Sequence, residues 1–336
     1  MTAVSTATFP VPPIQQGEVG ALPGTDVVYI SGYGRSGSTI LDMLLGSHPQ
    51  MIGTGEVFRL FEGWQAGENC SCGQALTDCP FWTAVMARLR ADMPGMEPSE
   101  ADRLTRSVEG PTGAILPHPR IPEEARAQYG ALWRSVLAGI AAEAGVRYVV
   151  DSSKSTRETG GRALALAALA GASVRVVHLV RDPRAVAWSL LRGSNRKLEA
   201  GEPARLAGGS ARPLVGWVAA NLRAAAAGRR LPTAMLRYED LVRNPEAEIA
   251  RLGRELHLDL STVIEGIRSD DPIPGSHGVA GNRLRRSGRQ RLHEDREWAS
   301  ALPYRARLLA AVTWPMARRY GYDVSRVRRR QEGDAT

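Results

Sequence analysis

The run Asp26–Ser47, DVVYISGYGRSGSTILDMLLGS, constrains this chain more than any other stretch. Val27, Val28, Tyr29 and Ile30 are β-branched or aromatic, with no polar residue between them, which is the pattern of a central parallel strand buried on both faces. Gly32, Gly34 and Gly37 follow, and from Ser38 onward Ile40, Leu41, Leu44 and Leu45 recur at helical spacing. Strand, glycine loop and helix, in that order, aim backbone N–H groups and the positive end of a helix at one point, which suits a phosphate or sulfate. With 336 residues and 43% hydrophobic content the chain can bury a full core around such a strand, so the expectation is one large α/β domain, a parallel sheet flanked by helices.

The spacing Gly32-x4-Gly37-Ser38-Thr39 fits the P-loop of nucleoside triphosphatases except that Ser38 stands in the place of lysine. That lysine normally meets the β- and γ-phosphates beside a magnesium ion, so its absence argues for a ligand other than a nucleoside triphosphate. Arg35 is the only fixed cation in the loop. The pattern Tyr33–Thr39, YGRSGST, resembles the 5′-phosphosulfate loop of sulfotransferases that use 3′-phosphoadenosine 5′-phosphosulfate (PAPS), with an ordinary glycine-rich turn as the plainer alternative. The resemblance implies a P-loop-type sheet on which Gly34, Arg35, Ser36, Gly37, Ser38 and Thr39 hold the 5′ end of the donor.

A second segment carries the resemblance further. Ser173–Val180, SVRVVHLV, reads as another buried strand, and it delivers Arg181-Asp182-Pro183-Arg184 into a helix with Pro183 in its first turn. In these sulfotransferases the 3′-phosphate is held by the arginine that opens an Arg-Asp-Pro turn and by a serine eight residues on, here Arg181 and Ser189. That interval is about two helical turns, so a guanidinium at the strand end and a hydroxyl on the helix can converge on one anion. Arg237-Tyr238-Glu239-Asp240-Leu241 is similar to a family segment and is assigned to structure, with Glu239 and Asp240 starting a helix. His277–Arg286 is glycine-broken and basic and is similar to the loop that closes over the adenosine in bacterial members, which implies Asn282 and Arg285 as cofactor contacts; a surface basic patch is the alternative.

The chemistry that the resemblance implies is in-line transfer of a sulfuryl group from PAPS to a hydroxyl or amine of a small-molecule acceptor, leaving adenosine 3′,5′-bisphosphate (PAP). The sulfuryl oxygens share a single negative charge, so loop N–H groups and Arg35 can suffice where a γ-phosphate needs magnesium, and no metal is implied. Glu56 lies in a Gly-Glu segment just after the first helix, and some sulfotransferases carry a glutamate base in a similar segment; a solvated loop carboxylate is the alternative. Lys154, in Asp151-Ser152-Ser153-Lys154 at the end of the strand Arg147–Val150, is the third catalytic candidate, bridging the sulfuryl group or an acidic acceptor. Otherwise Asp151 and Ser152 merely cap a helix beginning near Thr156. His48, Asp151 and His178 are reserves for the base, in that order of exposure to the crevice, although His48 reads better as a helix-end cap and His178 as a packed residue. A P-loop small-molecule kinase using ATP and magnesium, and a non-catalytic adenine-nucleotide-binding module, are the competing functions.

Around these motifs the chain divides into a loosely ordered leader (1–24), a single domain (25–325) and a basic tail (326–336). Between about residues 81 and 145 the proline-rich breaks MPGMEPSE and PTGAILPHPRIPEE separate three helices expected to form an inserted cap, the place for acceptor recognition. Asn195–Ser210 reads as a loop, 214–227 as a helix with Trp217 and Leu222 in the core, and Leu302–Arg319 as one amphipathic helix. The net charge of +8 does not argue for nucleic acid, because only two of the 43 basic residues are lysines and no nucleic-acid-binding motif is present. Cys70, Cys72 and Cys79, within CSCGQALTDC, are the only cysteines: a structural clip, as a metal site lacking its fourth ligand unless a distant His or Asp supplies it, or as a local disulfide with one thiol left over. The start of the chain has no basic region followed by an apolar run and no stretch approaches the length of a membrane span, so a cytoplasmic protein without membrane partners is expected.

Overall fold

The computed structural model describes residues 25–110, 121–192, 212–270, 273, 275–280 and 296–324. The leader, the segment 195–210, Asn282, Arg285 and the basic tail lie outside the described residues. Five strands, β1 (Asp26–Gly32), β2 (Met51–Gly53), β3 (Tyr148–Asp151), β4 (Ser173–Val180) and β5 (Thr233–Arg237), form one sheet in the order β2-β3-β1-β4-β5, with every neighbouring pair parallel. β1 is central and fully buried. Its side chains alternate between two cores: Val27 and Tyr29 join Val149, Val174 and Val176, whereas Val28 and Ile30 join Val150, Val177 and Leu236.

Helices fill both faces. α1 (Ser38–Leu45) places Leu41, Leu44 and Leu45 in the second core, beside Leu252 and Leu256 of the helix Pro245–Leu256. On the other face lie α2 (Leu60–Gln65), α3 (Pro80–Asp92), α4 (Pro98–Glu109), α5 (Glu123–Ala144) and α6 (Arg162–Ala168), which share a core containing Trp82, Trp133 and Tyr129. The three helices expected between 81 and 145 are present, and the longest, α5, leads directly into β3 with its apolar residues in the core under the sheet. Beyond β4 come α7 (Pro183–Leu191) and the helix Arg212–Ala227.

From β1 the chain moves to one side for β2 and β3, then crosses back to put β4 on the other side. Such a reversal of strand order opens a crevice beyond the carboxyl ends of the strands, and the glycine loop after β1 lies there.

Three local expectations fail for physical reasons. Leu222 is 54% exposed, because the buried stripe of its helix runs through Leu214, Trp217, Asn221 and Ala224 and leaves position 222 on the outer side. Leu302–Arg319 is two helices, Tyr304–Ala311 and Trp314–Arg319; Pro315 cannot donate to a preceding turn and so sits in the first turn of the second one. No helix starts near Thr156: α6 starts at Arg162, and Asp151 uses its carboxylate elsewhere. Among the described residues no helix is long and apolar enough to cross a membrane.

Candidate active site

β1 ends on Gly32 at φ +121°, where a Cβ would stand 2.2 Å from the Leu179 carbonyl oxygen, so only glycine lets the chain turn away from β4 here. The loop then passes Gly34, Arg35 and Ser36 to Gly37, the N-cap of α1, at φ +93°. A Cβ on Gly37 would come within 2.4 Å of the Tyr238 ring, which packs against the loop. Among the described residues no side chain caps the start of α1. The Ser36 hydroxyl oxygen is buried and has no hydrogen-bond partner among the described residues, and Ser38 and Thr39 are buried in the first turn. Uncapped helix N–H groups beside a buried, unsatisfied hydroxyl fit an anionic group.

Arg181 reaches this loop from the end of β4. Its Nη1 donates to the Arg35 carbonyl at 2.9 Å, and its guanidinium stacks 4.3 Å from the centroid of Tyr238. The turn that carries it is tied down by hydrogen bonds. Trp217 donates its indole N–H to the Arg181 carbonyl, the Asp182 side chain caps α7 by accepting from the Arg184 amide at 2.8 Å, and Glu239 accepts from the Asp182 amide at 3.0 Å. The Arg-Tyr-Glu-Asp-Leu segment thus does more than start a helix, since Tyr238 supports both the loop and Arg181. Ser189 is half-buried on α7, and Arg192, one turn on, is close enough to repel Arg35. Burial pushes the Arg35 guanidinium below its usual range, Arg192 adds to this and Glu56 opposes it. Arg192 went unnoticed in the sequence, although its i, i+3 relation to Ser189 puts both on one helix face.

On the other side of β1, the segment after β2 brings in Glu56. The Asp42 carboxylate of α1 accepts from the Gly55 amide at 3.1 Å, and the Glu56 amide donates to the Val279 carbonyl at 2.9 Å. Ser152 donates its amide to the Gly55 carbonyl, tying this segment to the end of β3. Lys154 Nζ meets Glu56 Oε1 at 2.5 Å, with the lysine side chain 10% and the glutamate 25% exposed. Arg35 and Lys154, the two cations placed here, both adopt the left-handed backbone, φ +67° and +69°, a conformation that costs a non-glycine residue about 1–3 kcal/mol. Lys154 is kept there by its amide bond to the Ile30 carbonyl and by the Tyr29 hydroxyl on its own carbonyl.

Glu56, Arg35 and Lys154 therefore meet at the carboxyl end of the sheet, and the reserves do not join them. His48 precedes β2 and so lies at the amino end, its Nδ1 accepting from the Gln50 amide. His178 is buried within β4, its Nε2 2.9 Å from Asn221 Oδ1 and its ring against Tyr320, and burial pushes its basicity down. Asp151 is fully buried; it accepts from Ser153 and from Arg162 Nε at 2.7 Å, and Arg162 also binds Glu109.

Outside this site, the three cysteines are free thiols gathered around His277.

The sulfotransferase family model, described as "Sulfotransferase family", matches residues 27–262. No curated protein sequence matches. Among solved structures, the sulfotransferase domain from the Synechococcus PCC 7002 olefin synthase is 19% identical, with 92% of this chain and 99% of that chain covered and a TM-score of 0.44. The sulfotransferase domain from the curacin biosynthetic pathway is also 19% identical, over 90% of this chain and 99% of that one, with a TM-score of 0.49. Sulfotransferase STF1 from Mycobacterium tuberculosis H37Rv is 18% identical over 72% of this chain and 70% of its own, with a TM-score of 0.37.

Proposed function

The chain belongs to the sulfotransferase family, and from that premise we propose that it moves a sulfuryl group from PAPS to a hydroxyl or amine of a small-molecule acceptor. The observation that carries this reading is the junction of two anion-binding segments, the loop after β1 and Arg181 after β4, joined by the Arg181 bond to the Arg35 carbonyl. The N–H groups at the start of α1, with Ser36, Ser38 and Thr39, hold the 5′ end of the donor; Arg181 and Ser189, with Arg192 nearby, hold the 3′-phosphate. Asn282 and Arg285 are proposed as further contacts to the adenosine end. Bound there, PAPS supplies the sulfuryl group for in-line transfer.

Glu56 accepts the acceptor's proton at Oε1, the oxygen it now offers to Lys154. Lys154, paired with Glu56 here, would turn to the sulfuryl group once the donor is bound, which would free the carboxylate. Arg35, lowered in basicity but still cationic, neutralises that charge, and fixed donors of this kind need no reorganisation during transfer. Acceptor recognition is assigned to the helices between 81 and 145. Arg106 of α4 stacks 4.9 Å from the centroid of Phe58, two residues past Glu56, which supports this side as the acceptor entrance.

A thermal-shift comparison tests the donor. PAP should stabilise the protein without added metal, by about 2.7 kcal/mol at a hundredfold excess over Kd, and ATP with magnesium should not. Stabilisation by ATP that depends on magnesium would overturn the reading in favour of a kinase. Transfer of radiolabelled sulfonate to a panel of hydroxylated metabolites and amines then identifies the acceptor.

A further inference from the structure

Cys70, Cys72 and Cys79 come from one short segment, and His277 comes from about two hundred residues later in the chain. Their four ligand atoms, three Sγ and the imidazole Nδ1, all lie within 4.8 Å of one another. His277 Nδ1 is 3.3 Å from Cys79 Sγ and 3.7 Å from Cys70 Sγ, and Cys72 Sγ is 3.7 Å from Cys79 Sγ. A tetrahedral zinc ion, with Zn–S near 2.3 Å and Zn–N near 2.0–2.1 Å, requires ligand atoms about 3.5–3.8 Å apart. The Cys72–Cys79 separation of 3.7 Å is far from the roughly 2.05 Å of a disulfide. We propose that these four residues bind a structural zinc ion.

The donor set decides the class of metal. Three thiolates and one imidazole reject hard cations such as magnesium and calcium, favour zinc, and complete a four-coordinate shell that leaves no position for a substrate. The surroundings present the imidazole in a fixed pose. Phe81 stacks on the His277 ring with centroids 4.8 Å apart and planes 6° from parallel, and the Trp82 indole donates to the His277 carbonyl at 2.9 Å. Ser71 grips both neighbours of the histidine: its amide donates to the Gly278 carbonyl at 3.0 Å, its Oγ accepts from the Gly278 amide at 2.6 Å, and its hydroxyl donates to the Ser276 carbonyl. Outer contacts that orient a ligand in this way are a usual companion of a metal shell.

The site has a consequence for the rest of the molecule. Val279, two residues past His277, accepts from the Glu56 amide and donates its own amide to the Thr54 carbonyl at 2.8 Å. An ion clamping His277 to the cysteine segment therefore fixes the strip of chain against which Glu56 is hung. Metal binding itself does not depend on the role given to Glu56.

The test is metal content and spectroscopy on the whole chain, neither of which reads turnover. Protein purified under reducing conditions without added metal should contain one zinc per chain by plasma mass spectrometry. Exchange for Co²⁺ should give the thiolate-to-cobalt charge-transfer band and the intense visible bands of a tetrahedral sulfur-rich site. Cys72 is exposed, so Cys72→Ser should keep the fold by circular dichroism; it should weaken zinc in a chelator competition by more than the roughly 10–100-fold that losing an outer-shell partner costs. Zinc well below one per chain with three freely titrating thiols overturns the proposal. So does a Cys72–Cys79 disulfide in the purified protein, or a folded Cys72→Ser variant with an unaltered cobalt spectrum.

Discussion

Two ion clusters grow from the end of β3, three residues apart, and they behave as opposites. Asp151 points into the interior, where Arg162 binds it and Glu109 together, with all three side chains at 0% exposure. Tyr129 donates to Glu109 at 2.7 Å, and the Arg162 guanidinium lies 3.8 Å from the centroid of Trp133. Burial pushes the Glu109 carboxyl up to about 7 even against that guanidinium, which marks a group sealed away from water. Lys154 points the other way, to a carboxylate one-quarter exposed, from a backbone position that resists it. An ion pair whose partners are all enclosed holds β3, α4 and α6 together and has nothing to exchange with. The pair at the mouth is tied to the buried one through the bond of Ser153 to Asp151 and stays partly open to solvent.

The strongest way to break this contrast is at the open pair. Glu56→Gln keeps the shape but removes the proposed proton acceptor, so turnover should fall by roughly 10²–10⁴ while calorimetry shows nearly unchanged affinity for PAP. Near-normal turnover at saturating donor and acceptor would remove Glu56 from the role of base. At the closed cluster, Arg162→Met should lower the free energy of unfolding by roughly 3–5 kcal/mol in a denaturant titration, because it strands two buried carboxylates. A loss below about 1 kcal/mol would mean that the cluster is not scaffold.

Two smaller effects sharpen the same division. Ser189→Ala should weaken PAP by roughly 1.5–3 kcal/mol and leave AMP alone, whereas Arg181→Ala should weaken both, since Arg181 also holds the Arg35 carbonyl of the 5′ loop. Equal calorimetric losses of PAP and AMP for Ser189→Ala would move that residue away from the 3′-phosphate. Least of all, Arg106→Ala should change donor affinity by no more than about 0.5 kcal/mol while altering the relative rates with different acceptors. A loss of PAP affinity in a normally folded variant would refute the assignment of this helix to the acceptor.

Much of what depended on local pattern could be read in advance. The bounds of β4, the proline-led start of α7 and the loop into α1 all follow from β-branched runs, a proline and glycines that are adjacent in the chain. What joins distant residues could not. His277 completes the cysteine cluster from 198 positions beyond Cys79, and no spacing rule links them. Arg162, Glu109 and Asp151 carry the residue types of a solvated surface, and only the fold reveals that they neutralise one another in the interior. His48 was misplaced because sequence distance from the glycine loop does not say at which end of a parallel strand a residue falls. Leu222 was misplaced because a helix rich in alanine, with apolar residues on more than one face, gives little contrast between its faces.

The left-handed backbone of Arg35 and Lys154 sets selection for folding against selection for function at two single positions. Glycine at either would relax the chain and, taken alone, make the fold more robust, yet it would delete a cation from the crevice. Variants screened only for yield or heat resistance should therefore accumulate glycine or asparagine at 35 and 154, and a chain evolved that way would become easier to produce as it lost the two cations proposed to act on the sulfuryl group.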